Sequence, residues 1–410
     1  MMRVKGVPLI VLYILICLTG IGYFVTAWQS GTLALWGYSD ELVDEGGAIP
    51  RYTNFAKDVF VLLWAMVLFK KQNHGIKSGR ISKDWQAPIA AIIIGGILAF
   101  INSNGLMCVV GGIRAHIFAF CTYIYCWSYE FDKKFPLRLS NTMIIMCILQ
   151  GIGVFIQADM SPAGIQLGSG AYRMMGLFTN GGTLGFFGLG VVLYLGYCFC
   201  SGYIKLLKFS ACIAIAMVLI LASGTRSTFI YAALIALVCF LEKYIRDDKT
   251  KIIMVPLLLI VGASIVIPWL TEYVGRGNIM ESGSGRFMAW VTLFNELNPL
   301  QIIFGTGVGA GTNTARSMDA SSIAMDSGFA VIITQFGIWG FILFLNGMIR
   351  IFYKAIINSG LKWYAISLDM ITFLILFSGS LFEQYTLIVP MVIVYCMCCK
   401  DKSIEVNEVK

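Results

Sequence analysis

Arginine, rather than lysine, is the basic residue on one side of the predicted membrane topology of this chain. When the spans are drawn so that the lysine-rich loops share the cytoplasmic side, seven of the eight remaining basic residues are arginines. The positive-inside rule requires basic loops inside but does not require arginine outside. Because guanidinium groups grip phosphate or carboxylate in a bidentate way, this sorting predicts a phosphate-bearing ligand at the outer face. The eight residues are Arg51, Lys57, Arg114, Arg173, Arg226, Arg276, Arg286 and Arg316.

Four of these arginines are predicted to converge on one diphosphate. Arg226 lies in a tight outer turn, Ala222-Ser-Gly-Thr-Arg-Ser-Thr228, and Arg173 lies at the outer mouth of the sixth span. Arg286 opens a loop helix, and Arg114 lies in the outer third of the fourth span. A charge beside such apolar runs is costly unless it is paired or hydrated, and snorkelling to lipid headgroups is the alternative for Arg226.

Carboxylates near these arginines are candidates for a general base. Asp326 immediately precedes a span, and Glu383 lies at the outer turn of the last hairpin. Either carboxylate would suit the role if burial raised its pKa. Each is equally suited to pair with one of the arginines. His116, two residues after Arg114, is interpreted as a buried hydrogen-bonding side chain.

The alternating glycines in Phe304-Gly-Thr-Gly-Val-Gly-Ala-Gly-Thr-Asn313 permit close backbone approach and unusual dihedral angles. Gly305, Gly307 and Gly309 could form a phosphate-binding nest, and a flexible hinge is the alternative. Upstream, apolar residues recur at helical spacing over 284–298, which predicts an amphipathic helix that ends at Pro299.

The elements that must position these residues are membrane helices. The chain has 410 residues, of which 58% are hydrophobic and 13% charged, with mean hydropathy +0.80. A soluble protein would carry about a quarter charged residues. The net charge of +8 follows from the basic cytoplasmic loops and does not indicate nucleic-acid binding. The twelve cysteines lie in or at the ends of spans, so we expect packed or lipid-facing thiols without disulfides or a metal site.

Twelve spans account for the apolar runs, and both termini are then cytoplasmic. Residues 1–270 hold nine spans, 271–327 form the large outer loop, 328–399 hold three spans, and 400–410 are a cytoplasmic tail. No internal repeat is evident, which weakens a secondary-transporter interpretation. The predicted spans are 6–28, 55–70, 87–103, 106–128, 140–158, 176–198, 209–225, 227–244, 252–270, 328–350, 364–382 and 385–399.

Several short strings, in their order and placement, resemble the bacterial O-antigen polymerase and O-antigen ligase superfamily. The resemblance extends over the whole topology and implies an all-α polytopic membrane protein of GT-C-type glycosyltransferase architecture. The strings are Arg173-x-x-Gly-Leu-Phe-x-Asn180, Ser223-Gly-Thr-Arg-Ser227, Ser284-Gly-Arg-Phe-x-x-Trp290, Phe304-Gly-x-Gly-x-Gly309, Asp326-Ser-Gly-Phe329 and Gly337-Ile-Trp-Gly340.

The resemblance implies a glycosyltransferase that uses neither metal nor cofactor, at the outer face of the bacterial inner membrane. Its donor would be an undecaprenyl-diphosphate-linked oligosaccharide. Arg173, Arg226 and Arg286 would offset the charge that develops on the departing diphosphate. The expected partners are this lipid, the membrane, and a flippase and chain-length regulator of the same pathway, but no nucleic acid. Further substrate contacts are predicted for Arg114, Arg276, Arg316, Tyr172 and Asn180, beside the three glycines.

One departure from the family pattern separates its two branches. Ligases carry a histidine in the large outer loop, proposed as the base, whereas this chain has only His74 and His116, and Met325-Asp326 occupies the matching region. This difference favours a polymerase, with Asp326 as first and Glu281 as second candidate for the base. The alternatives are a ligase or related oligosaccharyltransferase, and a transporter or flippase for lipid-linked sugars.

Overall fold

The computed structural model describes residues 3–29, 49–73, 83–102, 105–160, 165–166, 172–178, 180–245, 247–254, 288, 290–292, 294–312 and 327–408. Within these ranges the protein is nearly all helical, which confirms the predicted helical class. The described strands form two short pairs. Strand β1 (Arg3–Val4) runs parallel to β2 (Glu130–Phe131), and β3 (Ile165–Gln166) runs antiparallel to β4 (Tyr172–Arg173).

The helices follow one another in chain order. They are α1 (Val7–Cys17), α2 (Ile21–Gln29), α3 (Ile49–Asn73), α4 (Lys83–Ile101), α5 (Leu106–Ser128), α6 (Phe135–Met160), α7 (Gly181–Cys200), α8 (Leu206–Ala222), α9 (Arg226–Tyr244), α10 (Pro299–Phe304), α11 (Gly328–Asn358), α12 (Lys362–Ser378), the 3-10 turn η1 (Leu381–Glu383) and α13 (Tyr385–Glu408).

Five helices in the described part of the chain are long and apolar enough to cross a membrane. Large apolar side chains on their outer faces are exposed, and Phe155 on α6 is 74% accessible. Such exposure is unfavourable in water but favourable against lipid tails, which supports a membrane protein. The five segments are Cys108–Ser128, Phe135–Asp159, Gly181–Cys200, Arg226–Tyr244 and Gly328–Asn358.

The first predicted span, 6–28, is interrupted in the structure. It consists of α1 and α2, separated by a break at residues 18–20. A Cβ atom on Gly20 would lie 2.5 Å from the carbonyl oxygen of Leu177 and 2.8 Å from Cα of Phe178. The glycine therefore lets another segment approach the backbone where the helix stops. Hydropathy alone could not reveal this, because both helices are apolar.

The start of the sixth span and the end of the predicted loop helix are defined more closely by the structure. The sixth span begins at Gly181 rather than 176, because residues 176–178 form a turn and Asn180 caps the helix. In the predicted loop helix, the described residues 288, 290–292 and 294–296 are helical. Pro299 then opens the separate helix α10, whose start is fixed by a capping box between Asn298 and Gln301. The ninth predicted span lies outside the described residues beyond position 254.

The chain divides into two compact units. The first comprises residues 1–66, 129–277 and 389–394, and the second comprises 67–128, 278–388 and 395–410. In the first unit, α7 is packed among α6, α8 and α9, and 89% of its span is buried. Glycines allow this close packing, since a Cβ atom on Gly188 would meet the Ile220 side chain at 2.5 Å.

The second unit contains a broken helix. Gly337 has φ 67°, so α11 is two helical halves that meet at this residue. A side chain there would collide with the carbonyl group of Ile303 in α10. The break frees carbonyl groups at the end of the first half, and inside a membrane such groups need hydrogen-bond donors from elsewhere in the protein.

The cysteines are mostly packed inside the protein, which agrees with packed rather than lipid-facing thiols, the two alternatives from the sequence. All twelve are free thiols, and all but Cys108 are buried. Among the residues that the structure describes, no group of three or more His, Cys, Asp or Glu side chains is placed to hold a metal ion.

Candidate functional site

A cluster of hydroxyl groups holds the turn between α8 and α9. Ser223 Oγ donates to the Ile220 carbonyl oxygen at 2.6 Å and also lies 2.6 Å from Thr225 Oγ1. Thr225 Oγ1 in turn hydrogen-bonds Thr228 Oγ1, whose hydroxyl reaches the Thr225 carbonyl oxygen at 3.0 Å. Gly224, with φ 65°, closes the reversal. The turn is therefore held by side chains that are mostly buried.

Arg226 is placed by this turn at the first residue of α9 and is half-buried. Thr225, the residue before it, makes no side-chain cap to the helix amides. The first amides of a helix and its positive dipole end attract anions, whereas a cation there is unfavourable. An arginine at this position adds to the anion-binding character of the helix end, at the expense of helix stability.

Arg173 lies close to the same turn. The amide of Met174 donates to the Ala222 carbonyl oxygen at 2.8 Å, which ties the Arg173 segment to the end of α8. The half-buried Arg173 also packs on Gly181, since a Cβ atom there would lie 3.2 Å from Arg173 Cβ. Gly185 packs against Thr225 in the same way. Residues four apart share one helix face, so Arg173 and the Arg226 turn are neighbours along α7.

The N-terminus of α7 lies at this end of the unit as well. Asn180 is exposed and its side chain accepts a hydrogen bond from the Gly182 amide at 2.6 Å, so it serves as the N-cap. The Asn180 side chain therefore caps α7, and its predicted contact with substrate stays a prediction. The backbone of Tyr172, another predicted substrate contact, pairs with Gln166 in the β3–β4 ribbon.

Lysines occupy the opposite end of this unit. Lys243 Nζ donates to the Cys200 carbonyl oxygen at 3.3 Å, and Lys208 Nζ donates to Asn141 Oδ1 at 2.7 Å. Helix α7 runs from the arginine end to the lysine end, a rise of roughly 30 Å at 1.5 Å per residue. This separation matches the thickness of a hydrocarbon core.

Chemically, the arginine end combines two helix N-termini, α7 and α9, with two guanidinium groups. Each element favours an anion, and a phosphate ester or diphosphate presents the oxygen geometry that arginine matches best. We call Arg173, Arg226 and the N-termini of α7 and α9 the arginine site.

Arg114 belongs to the second unit. It is half-buried on α5, and its guanidinium carbon lies 5.7 Å from the centre of the Tyr385 ring. That ring is stacked on Phe118 at 4.3 Å between centroids. Such a cation–π contact positions Arg114 against α13. Its predicted role in substrate binding stays a prediction.

The alternating-glycine segment is packed rather than open. All four of its glycines have positive φ. The amides of Thr306 and Gly307 donate to carbonyl oxygens at the end of the first half of α11, at 2.7 and 3.1 Å. The Val308 amide donates to α4 at 3.0 Å. The Thr306 and Gly307 amides therefore satisfy the broken helix and the Val308 amide is bonded to α4, so none of the three is free for a phosphate nest. Substrate contact by Gly305, Gly307 and Gly309 stays a prediction.

Five predicted site residues lie outside the described part of the chain: Arg276, Glu281, Arg286, Arg316 and Asp326. Of the four arginines expected to converge on one diphosphate, the structure brings two together, Arg173 and Arg226. Arg114 belongs to the second unit, and Arg286 lies outside the described residues. Ser223, Thr225 and Thr228 have no role in the prediction from sequence. Their signal was three hydroxyl residues around one glycine in a short turn, a composition typical of side-chain hydrogen bonding to turn backbone.

Gly185 gives a direct test of this packing. Gly185→Ala would push a methyl group into the Thr225 and Ser223 hydroxyls, so we expect it to lower the free energy of unfolding by about 1–3 kcal/mol. Gly151→Ala in α6 is the matched control, because a Cβ atom there meets nothing within 4 Å. Thermal unfolding of both variants in detergent measures the difference, and equal midpoints would contradict the packing described.

Comparison with known proteins adds no family assignment. No protein-family model matches the chain, and no curated protein matches it.

Proposed function

We propose that this protein is a repeat-unit polymerase for O-antigen or a related surface polysaccharide. It transfers a growing glycan from undecaprenyl diphosphate onto a lipid-linked repeat unit, at the outer face of the bacterial inner membrane. In this proposal the chain crosses the membrane about twelve times, adopts a GT-C-type architecture and keeps both termini in the cytoplasm. A flippase and a chain-length regulator of the same pathway are its expected partners.

The arginine site is the observation that carries this proposal. Two half-buried arginines lie beside two helix N-termini, at the end of the first unit opposite the lysines. That arrangement suits a diphosphate held at the outer face, because charge-assisted bidentate hydrogen bonds and helix dipoles act on the same anion.

In the proposed reaction, negative charge develops on the departing diphosphate. The acceptor hydroxyl attacks the anomeric carbon of the donor, the bond to the diphosphate oxygen breaks, and polyprenyl diphosphate leaves with the bonding electrons. Arg173 and Arg226 stabilise that growing negative charge, which lowers the barrier as well as aiding binding. Asp326 and Glu281 remain the candidates for the base that takes the acceptor proton.

A transporter for lipid-linked sugars is the second candidate, and one observation favours it. Secondary transporters commonly contain discontinuous membrane helices, and α11 is broken at Gly337. The Thr334 and Gln335 carbonyl groups at the break, however, accept hydrogen bonds from amides of the glycine segment. We therefore rank this function below the polymerase.

Reconstitution separates the two functions. The purified full-length protein, in lipid vesicles with an undecaprenyl-diphosphate-linked repeat unit and a chelator, should yield a ladder of longer glycans. A transporter would move the lipid between leaflets without lengthening the glycan. Unchanged glycan length, with lipid movement, would replace the polymerase proposal with the transporter.

A further inference from the structure

A small cavity lies within the second unit beside the turn η1. Its polar lining consists of His116, Thr312, Gln335, Ser380 and Glu383. About 10 Å³ is open to the centre of a water molecule, which is room for one water or one hydroxyl group. Glu383 is half-buried and His116 is 2% exposed, so the cavity extends from near the surface to a buried imidazole.

Gln335 determines which nitrogen of His116 carries the proton. The Gln335 side-chain amide donates from Nε2 to the Ala310 carbonyl oxygen at 3.3 Å. Its Oε1 therefore faces His116 Nε2, 3.1 Å away, and an oxygen can only accept. Neutral His116 must then carry its proton on Nε2, which leaves Nδ1 with a free lone pair.

Nδ1 of His116 is buried, and no residue in the described part of the chain hydrogen-bonds to it. The ring cannot easily turn to find a partner, because Phe336, Phe344 and Phe382 pack around it with centroid distances of 5.0 to 5.9 Å. A buried acceptor that has no donor from the protein is uncommon, so we expect a small bound group to donate to it.

We propose that this cavity binds a hydroxyl group of a saccharide, which donates its hydrogen bond to Nδ1 of His116. A hydroxyl group fits the space and supplies the missing donor. It also has lone pairs that can accept from Ser380, whereas the Thr312 hydroxyl already donates to the Gly309 carbonyl oxygen at 2.6 Å. Glu383 offers a further acceptor for a neighbouring hydroxyl. The choice of a saccharide rests on the proposed function, and Gln335 is a positioning residue that fixes the histidine tautomer.

Nitrogen NMR of a single histidine tests the site. The full chain carries His74→Gln, so that His116 is its one histidine, and is ¹⁵N-labelled at histidine in lipid nanodiscs. Without ligand, we expect protonated Nε2 and unprotonated Nδ1. Undecaprenyl-diphosphate-linked oligosaccharide should shift the Nδ1 resonance, and undecaprenyl diphosphate without sugar should leave it in place.

Two serine variants provide the controls. Ser380→Val fills the cavity and should abolish the shift. Ser378→Val makes the same change at a serine whose hydroxyl donates to the Leu374 carbonyl oxygen of its own helix, and should retain the shift.

The outcomes separate this site from the proposed function. If the lipid-linked oligosaccharide binds but Nδ1 does not shift, the hydroxyl site is wrong and the polymerase proposal stands. If both lipids shift Nδ1 equally, the saccharide assignment is wrong. If neither lipid binds, the polymerase proposal fails, and free oligosaccharide then tests the hydroxyl site alone. A shift of the Nδ1 resonance with free oligosaccharide supports the site, whereas no shift overturns it in favour of a resident water.

Discussion

Arg226→Lys should lower the initial rate of glycan lengthening by about 100-fold or more, the usual effect of losing a donor aimed at developing charge. Lysine keeps the positive charge at the start of α9 but loses the planar pair of donors that matches a phosphate group. Arg226→Ala, which also removes the charge, should be at least as slow. The rate is measured from the ladder that the reconstituted protein forms at saturating lipid-linked repeat unit.

Arg350→Lys is the matched control for this substitution. Arg350 is exposed on α11 in the second unit, where its Nε donates to Asn346 Oδ1 at 3.0 Å. We expect this variant to keep the rate of the unmodified protein. An Arg226→Lys variant that is folded, as judged by its unfolding midpoint, and fully active would contradict bidentate recognition at Arg226.

Arg173→Ala and Arg226→Ala should interact strongly when combined. Each single substitution is expected to slow lengthening by roughly 100-fold to 1,000-fold. The double variant should be far more active than the product of the two losses predicts, because both side chains stabilise the same leaving group. Rates of the unmodified protein, both single variants and the double variant give this coupling directly.

Arg350→Ala combined with Arg226→Ala is the comparison pair for that cycle. Arg350 has no expected part in the reaction, so the two effects should multiply. If Arg173 and Arg226 also combine multiplicatively, they act on separate processes, and the common arginine site is wrong.

Helical class could be predicted because hydropathy and length are local properties of the sequence. The interruption of the first span at Gly20 could not, since it depends on the close approach of Leu177 and Phe178 from a distant part of the chain. The start of the sixth span could not be predicted from hydropathy either. Its apolar run continues from the preceding turn, and the Asn180 cap marks the true boundary.

The positions of Arg173 and Arg226 were identified from residue type and from the topology that placed both on the outer side. Their proximity depends on Gly181 and Gly185, which let two segments pack on one face of α7. The role of the alternating glycines could not be predicted from residue type and topology. The Thr306 and Gly307 amides in this segment donate hydrogen bonds to carbonyl groups that the break at Gly337 frees. That break is visible only in the three-dimensional structure.

Binding of undecaprenyl diphosphate without any sugar tests the central claim most directly, because it isolates the anion from the glycan chemistry. The protein in nanodiscs should bind this lipid, and Arg173→Ala and Arg226→Ala should each weaken binding by roughly 10- to 100-fold, as expected for the loss of a charge-assisted hydrogen bond. Arg350→Ala should leave the affinity unchanged. Equal affinity in all four proteins would show that the two arginines do not hold a diphosphate.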